Sequence, residues 1–302
     1  MKRNILRSGR SSLVISLPKS FVDENNLKIG EEIDVEQHGS TLMIRCETSN
    51  PKIKRIELSE LTNVEEIERI LDKILGILFK QGFDTFQIKC SSKDIAATIR
   101  KIIRNGKLNM YEESSIEESN ILEIHSSISL FDTNVLDNIP NVIIKQIYRT
   151  LDELEDHLNK GTFTKAIAKD FYLRDKLINE QSDICRRMIN RNVLNYKSTA
   201  LYNFVDKWEK IGDTLKNLCM CLSEKNNSKK YVPSIRKIKE IVYLVYNANK
   251  NFSIKKLDEF YKLTEHIEDE IKKVDDKIIY HYQMQIFTQI QDSYSDVISQ
   301  NI

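Results

Sequence analysis

The sequence predicts a multidomain α+β protein with a short β-rich N-terminal module, a small α/β unit, and an all-α C-terminal half. Three observations lead there. Strand-like alternation of apolar and polar residues ends before residue 130. Beyond residue 140, apolar side chains recur only at helical spacing. Gly and Pro are scarce, at 8 and 4 of 302 residues, which suits long helices better than a β-sandwich.

Composition narrows the classes further. Apolar residues make up 40% and charged residues 30%, a soluble and helix-rich balance. No apolar run is long enough to span a bilayer. The opening "MKRNILRSGR" lacks the apolar stretch of a signal peptide. The five cysteines, Cys46, Cys90, Cys185, Cys219 and Cys221, are odd in number and irregularly spaced. They argue against a disulfide framework and for a reducing, cytoplasmic setting. Net charge is only +1, so the placement of charge matters more than its sum.

The first module is expected over residues 1–48. Its start carries Lys2, Arg3, Arg7, Arg10 and Lys19, and no acid precedes Asp23. "SSLVISL" is β-prone, "PKSFVDENN" interrupts it, and "EEIDVEQHGSTLMIRC" predicts a hairpin about His38-Gly39-Ser40. So short a segment is poorly placed to close a core alone, and pairing with a second copy is the remedy. The run "LRSGRSSLVISLPKSFVDENNLKIGEEIDV" resembles the AbrB/SpoVT swapped-hairpin family over residues 3–46. The resemblance is carried by Arg7, Gly9, Arg10, Val14, Ile15, Pro18, Lys19, Leu27, Gly30, Glu31 and Ile33. It implies a swapped-hairpin β-barrel, a homodimer, and double-stranded DNA held by Arg3, Arg7, Arg10 and Lys19. Arginine suits that work because it pairs with phosphates and with guanine edges. The alternative is that these cations only solvate a dimerisation module.

The second unit is expected over residues 52–135. "KIKRIEL" alternates as a strand. "NVEEIERILDKILGILFKQG" is a helix with Ile67, Ile70, Leu71, Ile74 and Leu78 on one face and Gly82 at its end. "DTFQIKC" places Phe86, Ile88 and Cys90 on one side of a strand. "SKDIAATIRKIIRNG" is a second helix, with Ile95, Ile99, Ile102 and Ile103 inward, and "LNMYEESSIEESNILEIHSS" gives two more strands. The order is βαβαββ. No glycine-rich phosphate loop or catalytic constellation appears, and His125 at a strand end reads as structural. This unit is assigned no chemistry.

Residues 140–302 predict six helical stretches, roughly 141–160, 163–195, 197–223, 233–250, 253–274 and 276–299. "SEKNNSKKYVP" divides them three and three, which suggests an internal repeat (141–224 and 231–302) of antiparallel three-helix bundles. In the third stretch Phe204, Trp208, Ile211, Leu215, Leu218 and Leu222 form one stripe. Glu209 and Asp213 lie nearly opposite it. Asp175, Asn179 and Asp183 form a row at one-turn spacing, as do Glu265 with Asp269 and Asp292 with Asp296. "EKIGDTLKNL" has a faint echo in "TQIQDSYSDV", matching Asp213 to Asp292.

"WEKIGD", within two sets of three helices that carry acid-x-x-x-Asp pairs, resembles the most recognisable motif of the phosphate-uptake regulator (PhoU) family. The resemblance covers residues 141–302, and the fusion to an AbrB-like segment resembles archaeal members. It implies a cytoplasmic regulator that works beside a phosphate transporter ATPase or a signalling kinase. It also implies metal ions (iron, zinc, manganese or magnesium) on the bundle surface. One site would use Glu209 and Asp213 with Asp183 and Asp175, the other Glu265, Asp269 and Asp292. Carboxylates one turn apart can chelate a hard cation, and Gly212 removes a side chain where a neighbour must approach. The chain departs from the family pattern at Asn179, Thr288 and Gln291, where an acid, a Glu and a Gly are usual. The alternative is that these acids are solvated or paired with lysine. Cys219 and Cys221 read as packing residues, since no second Cys/His pair accompanies them.

Together these readings predict a DNA-binding transcriptional regulator that senses phosphate status or metal through its helical half. The alternative is an adaptor that regulates a phosphate transporter or kinase by protein contact. No enzyme is expected, because paired histidines, a nucleophile elbow and a phosphate loop are all missing from the sequence.

Overall fold

The computed structural model describes residues 2–9, 12–38, 40–45, 52–57, 64–90, 92–102, 111–116, 121–126, 133–191 and 196–301. The expectations placed on Arg10, Gly39, Cys46 and Ile103, and on the side chain of Ile102, lie outside the described residues.

The N-terminal segment is built from two small antiparallel pairs. Strand β1 (Leu6–Ser8) pairs with β2 (Ser12–Val14), Leu6 opposite Val14, and Gly9 begins the turn at φ +72°. Pro18 precedes the short helix α1 (Lys19–Glu24), which ends at Asn25 and at Asn26 with positive φ. Gly30, at φ +94°, then turns the chain toward the hairpin of β3 (Asp34–His38) and β4 (Thr41–Arg45). The alternation that predicted this hairpin thus forms one, in a register that sets Asp34 opposite Arg45. None of the described side chains in residues 2–45 is buried. Leu13, Ile5 and Leu42 are exposed by 71%, 68% and 63%, so this segment has no core of its own in a single copy.

The α/β unit follows the expected βαβαββ order. It comprises β5 (Ile53–Glu57), α2 (Val64–Lys80), β6 (Thr85–Lys89), α3 (Lys93–Ile102), β7 (Tyr111–Ile116) and β8 (Ile121–Ser126). The sheet order is β5-β6-β8-β7. Strands β5 and β6 are parallel because α2 carries the crossover, and the other neighbours are antiparallel. Ile67, Leu71, Leu75 and Phe79 of α2 pack on Phe86, Ile88, Leu122 and Ile124. Ile70 and Ile74, expected on that face, sit at its half-buried edge. On the other face of the sheet, Arg55 donates to Gln87, Gln87 to Glu123, and His125 bridges Glu123 and Thr85.

The described residues of the C-terminal half form six helices: α4 (Thr133–Lys160), α5 (Lys165–Arg191), α6 (Tyr196–Leu222), α7 (Val232–Lys250), α8 (Ile254–Lys272) and α9 (Lys277–Asn301). A short 3-10 turn, Ser228–Tyr231, leads into α7. Helix α4 starts earlier than the sequence suggests and runs through Pro140. The missing N–H there is outweighed by burial of Ile139 and Ile143 on either side.

The two helix triplets do not close separate cores. Helix α6 lies along α9 and α4 lies along α7, so equivalent helices of the two sets meet. One continuous apolar core runs from Ile139 to Val297. Trp208 is at its centre, fully buried and stacked on Phe204, with its indole N–H donated to Ser293. Cys185 and Cys219 also lie in this core, where burial pushes the Cys185 thiol up to about 12. That environment fits packing rather than thiolate chemistry.

Candidate functional site

The basic start presents its charge outward. Arg3, Arg7 on β1, and Lys19 at the first turn of α1 are all exposed. No acid precedes Asp23 in the sequence, so this stretch contributes positive charge alone to a surface that a phosphate backbone could approach.

The carboxylates of α5 and α6 sit differently from the sequence expectation. Helix α6 is covered on two sides, by α9 along its apolar stripe and by α5 on the next face. Glu209 and Asp213 therefore border α5 and are half-buried rather than outward. Gly212 is what allows the approach: a Cβ there would meet Asp175 Oδ1 and Ile178 Cδ1, each at 3.3 Å.

Four cations hold these acids and their neighbours. The Arg186 side chain, only 5% exposed, pairs with Glu209, with Asp183 at 3.3 Å, and with Asp206 at 2.9 Å. Lys80, from the end of α2, reaches Asp183 at 3.6 Å, and Lys210 pairs with Asp206 at 2.6 Å. One turn further along α6, Lys216 bridges Asp175 at 2.7 Å and Asp213 at 2.5 Å. Burial pushes the carboxyls of Asp183 and Glu209 above their ordinary range, with Arg186 and Lys80 pulling the other way. Asp175 is raised by burial too, against the pull of Lys216. At Asp206 burial is outweighed by Lys210 and Arg186, and its pKa falls. Burial likewise opposes the charge on Arg186, but its three carboxylates win and raise its pKa. Among the described residues, Asp175 Oδ1, Asn179 Oδ1 and Ser182 Oγ are buried without hydrogen-bond partners, one line of acceptors along α5.

The second expected set is not assembled. Glu265 and Asp269 are exposed on α8, the latter 3.9 Å from Lys272. Asp292 is exposed on α9, and its backbone carbonyl accepts from Lys207. The buried acid of α9 is Asp296, which pairs with the same Lys207 at 2.8 Å. Among the described residues, no three of His, Cys, Asp and Glu come together in a way that could hold a metal. The first set has the right donor chemistry, oxygen only, but its charge is already met by Arg186, Lys80 and Lys216. As arranged, these residues do not fit a metal ion.

Sequence reasoning missed what α5 does at its end. Arg187 is fully buried and donates to the carbonyls of Phe79 (3.2 Å) and Phe83 (2.6 Å) and to Asp84 (2.6 Å). Asn190 donates to the carbonyl of Lys80, and Arg191 donates to Gly82 and Asp84. The Phe79 and Lys80 carbonyls belong to the last turn of α2 and those of Gly82 and Phe83 to the turn that follows it, so side chains of α5 hold the end of α2. Gly82, at φ +84°, is required: a Cβ there would fall 2.8 Å from Arg191 Cγ. The only sequence signal was the cluster "CRRMINR", which shows no partner until the chain is folded.

Comparison with known proteins bears on the N-terminal segment. No curated protein and no solved structure matches the chain. Among the described residues no helix is long and apolar enough to cross a membrane. A family model described as antidote-toxin recognition MazE, bacterial antitoxin, matches residues 6–52. The chain thus opens with a MazE/AbrB-like segment, of a kind that commonly dimerises and binds DNA, ahead of a largely helical remainder.

Proposed function

We propose that the chain is a homodimeric, DNA-binding transcriptional regulator of the phosphate-uptake type. One observation carries the DNA part: an acid-free run of exposed cations, Arg3, Arg7 and Lys19, on a MazE/AbrB-like segment. The uncovered Ile5, Leu13 and Leu42 on the same segment support pairing through a second copy. Two copies would double the basic face and give it two-fold symmetry to match a palindromic operator. In this reading the cytoplasmic helical half reports phosphate status to the DNA module, a role that rests on the resemblance of "WEKIGD" and its surrounding repeat. No chemical step is assigned to any residue.

The test is retention of genomic DNA fragments by the full chain at low salt, followed by sequencing of what is retained. Enrichment of a few palindromic fragments supports the reading, and indifference to DNA defeats it.

A second reading is favoured by a specific feature, an open groove of about 520 Å³ between α5 and α6. It is lined by Lys169, Tyr172, Leu173, Lys216 and Met220. A helix of a phosphate transporter ATPase or signalling protein could dock there, the N-terminal segment then serving only to dimerise. A stable complex with such a partner, together with no DNA binding, would favour it.

A further inference from the structure

The carboxylates on α5 and α6 that the phosphate-uptake resemblance would give to a metal, Asp175, Asp183, Glu209 and Asp213, are engaged by the protein itself. Around Arg186, three acids (Asp183, Asp206 and Glu209) face three cations (Arg186, Lys80 and Lys210). That group is neutral as built. A divalent ion entering it would add two positive charges to a balanced set and crowd a guanidinium whose side chain is 5% exposed. Pushing Arg186 aside would leave a buried cation without counter-charge, an expensive arrangement. Lys80 adds a structural consequence, because it belongs to α2 of the α/β unit and not to the helical half. Its contact with Asp183 lies one turn from Arg187, which holds the end of α2.

We propose that in this chain Arg186 and Lys80 take the place of a metal ion among Asp183, Asp206 and Glu209. The carboxylate cluster then serves as a metal-free lock between the helical half and the α/β unit. This goes beyond the DNA-binding reading and stands or falls separately from it.

The test uses the full chain. Metal content after purification is measured by elemental analysis, and thermal unfolding is followed with EDTA, with added Mn²⁺, and with neither. The expected result is sub-stoichiometric metal and a Tm that neither addition changes. Arg186→Met removes the guanidinium but leaves three carboxylates, so its Tm should rise with Mn²⁺ where the parent's does not. If that variant fails to fold, Lys80→Met, altered at the half-buried rim of the cluster, should show a smaller rise of the same sign. A full equivalent of metal in the parent chain, lost in Glu209→Gln, overturns the proposal. So does a parent Tm that falls in EDTA, or a failure of both variants to respond to Mn²⁺.

Discussion

Replacing Arg187 by methionine should separate the α/β unit from the helical half before it unfolds either. The side chain is fully buried, and its guanidinium makes three hydrogen bonds, to Phe79 O, Phe83 O and Asp84, while lying 4.8 Å from the Phe79 ring centre. Methionine keeps most of the aliphatic volume and removes every donor. The Phe83 carbonyl loses the guanidinium, the Phe79 carbonyl keeps the Gly82 N–H, and Asp84 keeps Arg191 at 2.5 Å. Breaking a buried charged pair costs about 3–5 kcal/mol, and the surviving Arg191 contact places this case near 3 kcal/mol. Trp208 is the only tryptophan and sits in the helical core, so its fluorescence reports that half alone. Far-ultraviolet circular dichroism reports both. In urea, the variant should show a circular-dichroism transition that begins well before the fluorescence transition, and faster amide exchange at the end of α2. If both probes superimpose on the parent's curves, the clamp does not hold the two units together.

Three further outcomes are expected. Trp208→Phe removes the hydrogen bond to Ser293 and part of a fully buried ring, and should cost about 1–3 kcal/mol in urea unfolding followed by circular dichroism; an unchanged midpoint would count against the described core. Leu13→Asp puts a charge on the uncovered N-terminal surface, and light scattering should find a monomer with the parent's Tm for the helical half; a persisting dimer would remove this surface from the interface. Asp276 caps α9 by accepting from Ile278 and Ile279 and pairs with Lys225. Lys225 first, then the two backbone N–H groups, hold its carboxyl below the ordinary range. A folded pKa below the unfolded value means stability that is present above about pH 4 and lost as the pH falls further. Asp276→Ala should therefore cost about 1 kcal/mol at neutral pH and less at pH 3, and equal losses at both would contradict the assignment.

Much of the fold was legible because it rests on local periodicity. The alternation of "DTFQIKC" put Phe86, Ile88 and Cys90 on one buried side, and the stripe through Trp208 became the face of α6 that meets α9. Where the sequence misled, a tertiary contact decided. The helix expected from about residue 141 begins instead at Thr133, and buried Ile139 and Ile143 carry α4 through Pro140. Glu209 and Asp213 look outward from α6 alone, but α5 covers that face. Asp292 and Asp296 look alike in the sequence, yet Asp296 is buried and pairs with Lys207 of α6 while Asp292 stays exposed. Some of the cations that meet these acids stand one turn away, where helix spacing reveals them, as in Asp183 with Arg186, Asp206 with Lys210 and Asp213 with Lys216. The pairs of Glu209 with Arg186, Asp175 with Lys216 and Asp183 with Lys80 cross between helices or units, and no spacing rule reveals those.

The central claim, that the N-terminal cations hold DNA, is tested most directly by fluorescence anisotropy on retained fragments across a salt series. The full chain is compared with the same chain carrying Arg3→Ala, Arg7→Ala and Lys19→Ala. The account predicts a steep fall of affinity with salt, each removed phosphate contact flattening the log–log slope by roughly 0.9 per copy. Absence of binding at low salt, or equal affinity and slope in the two proteins, would contradict it.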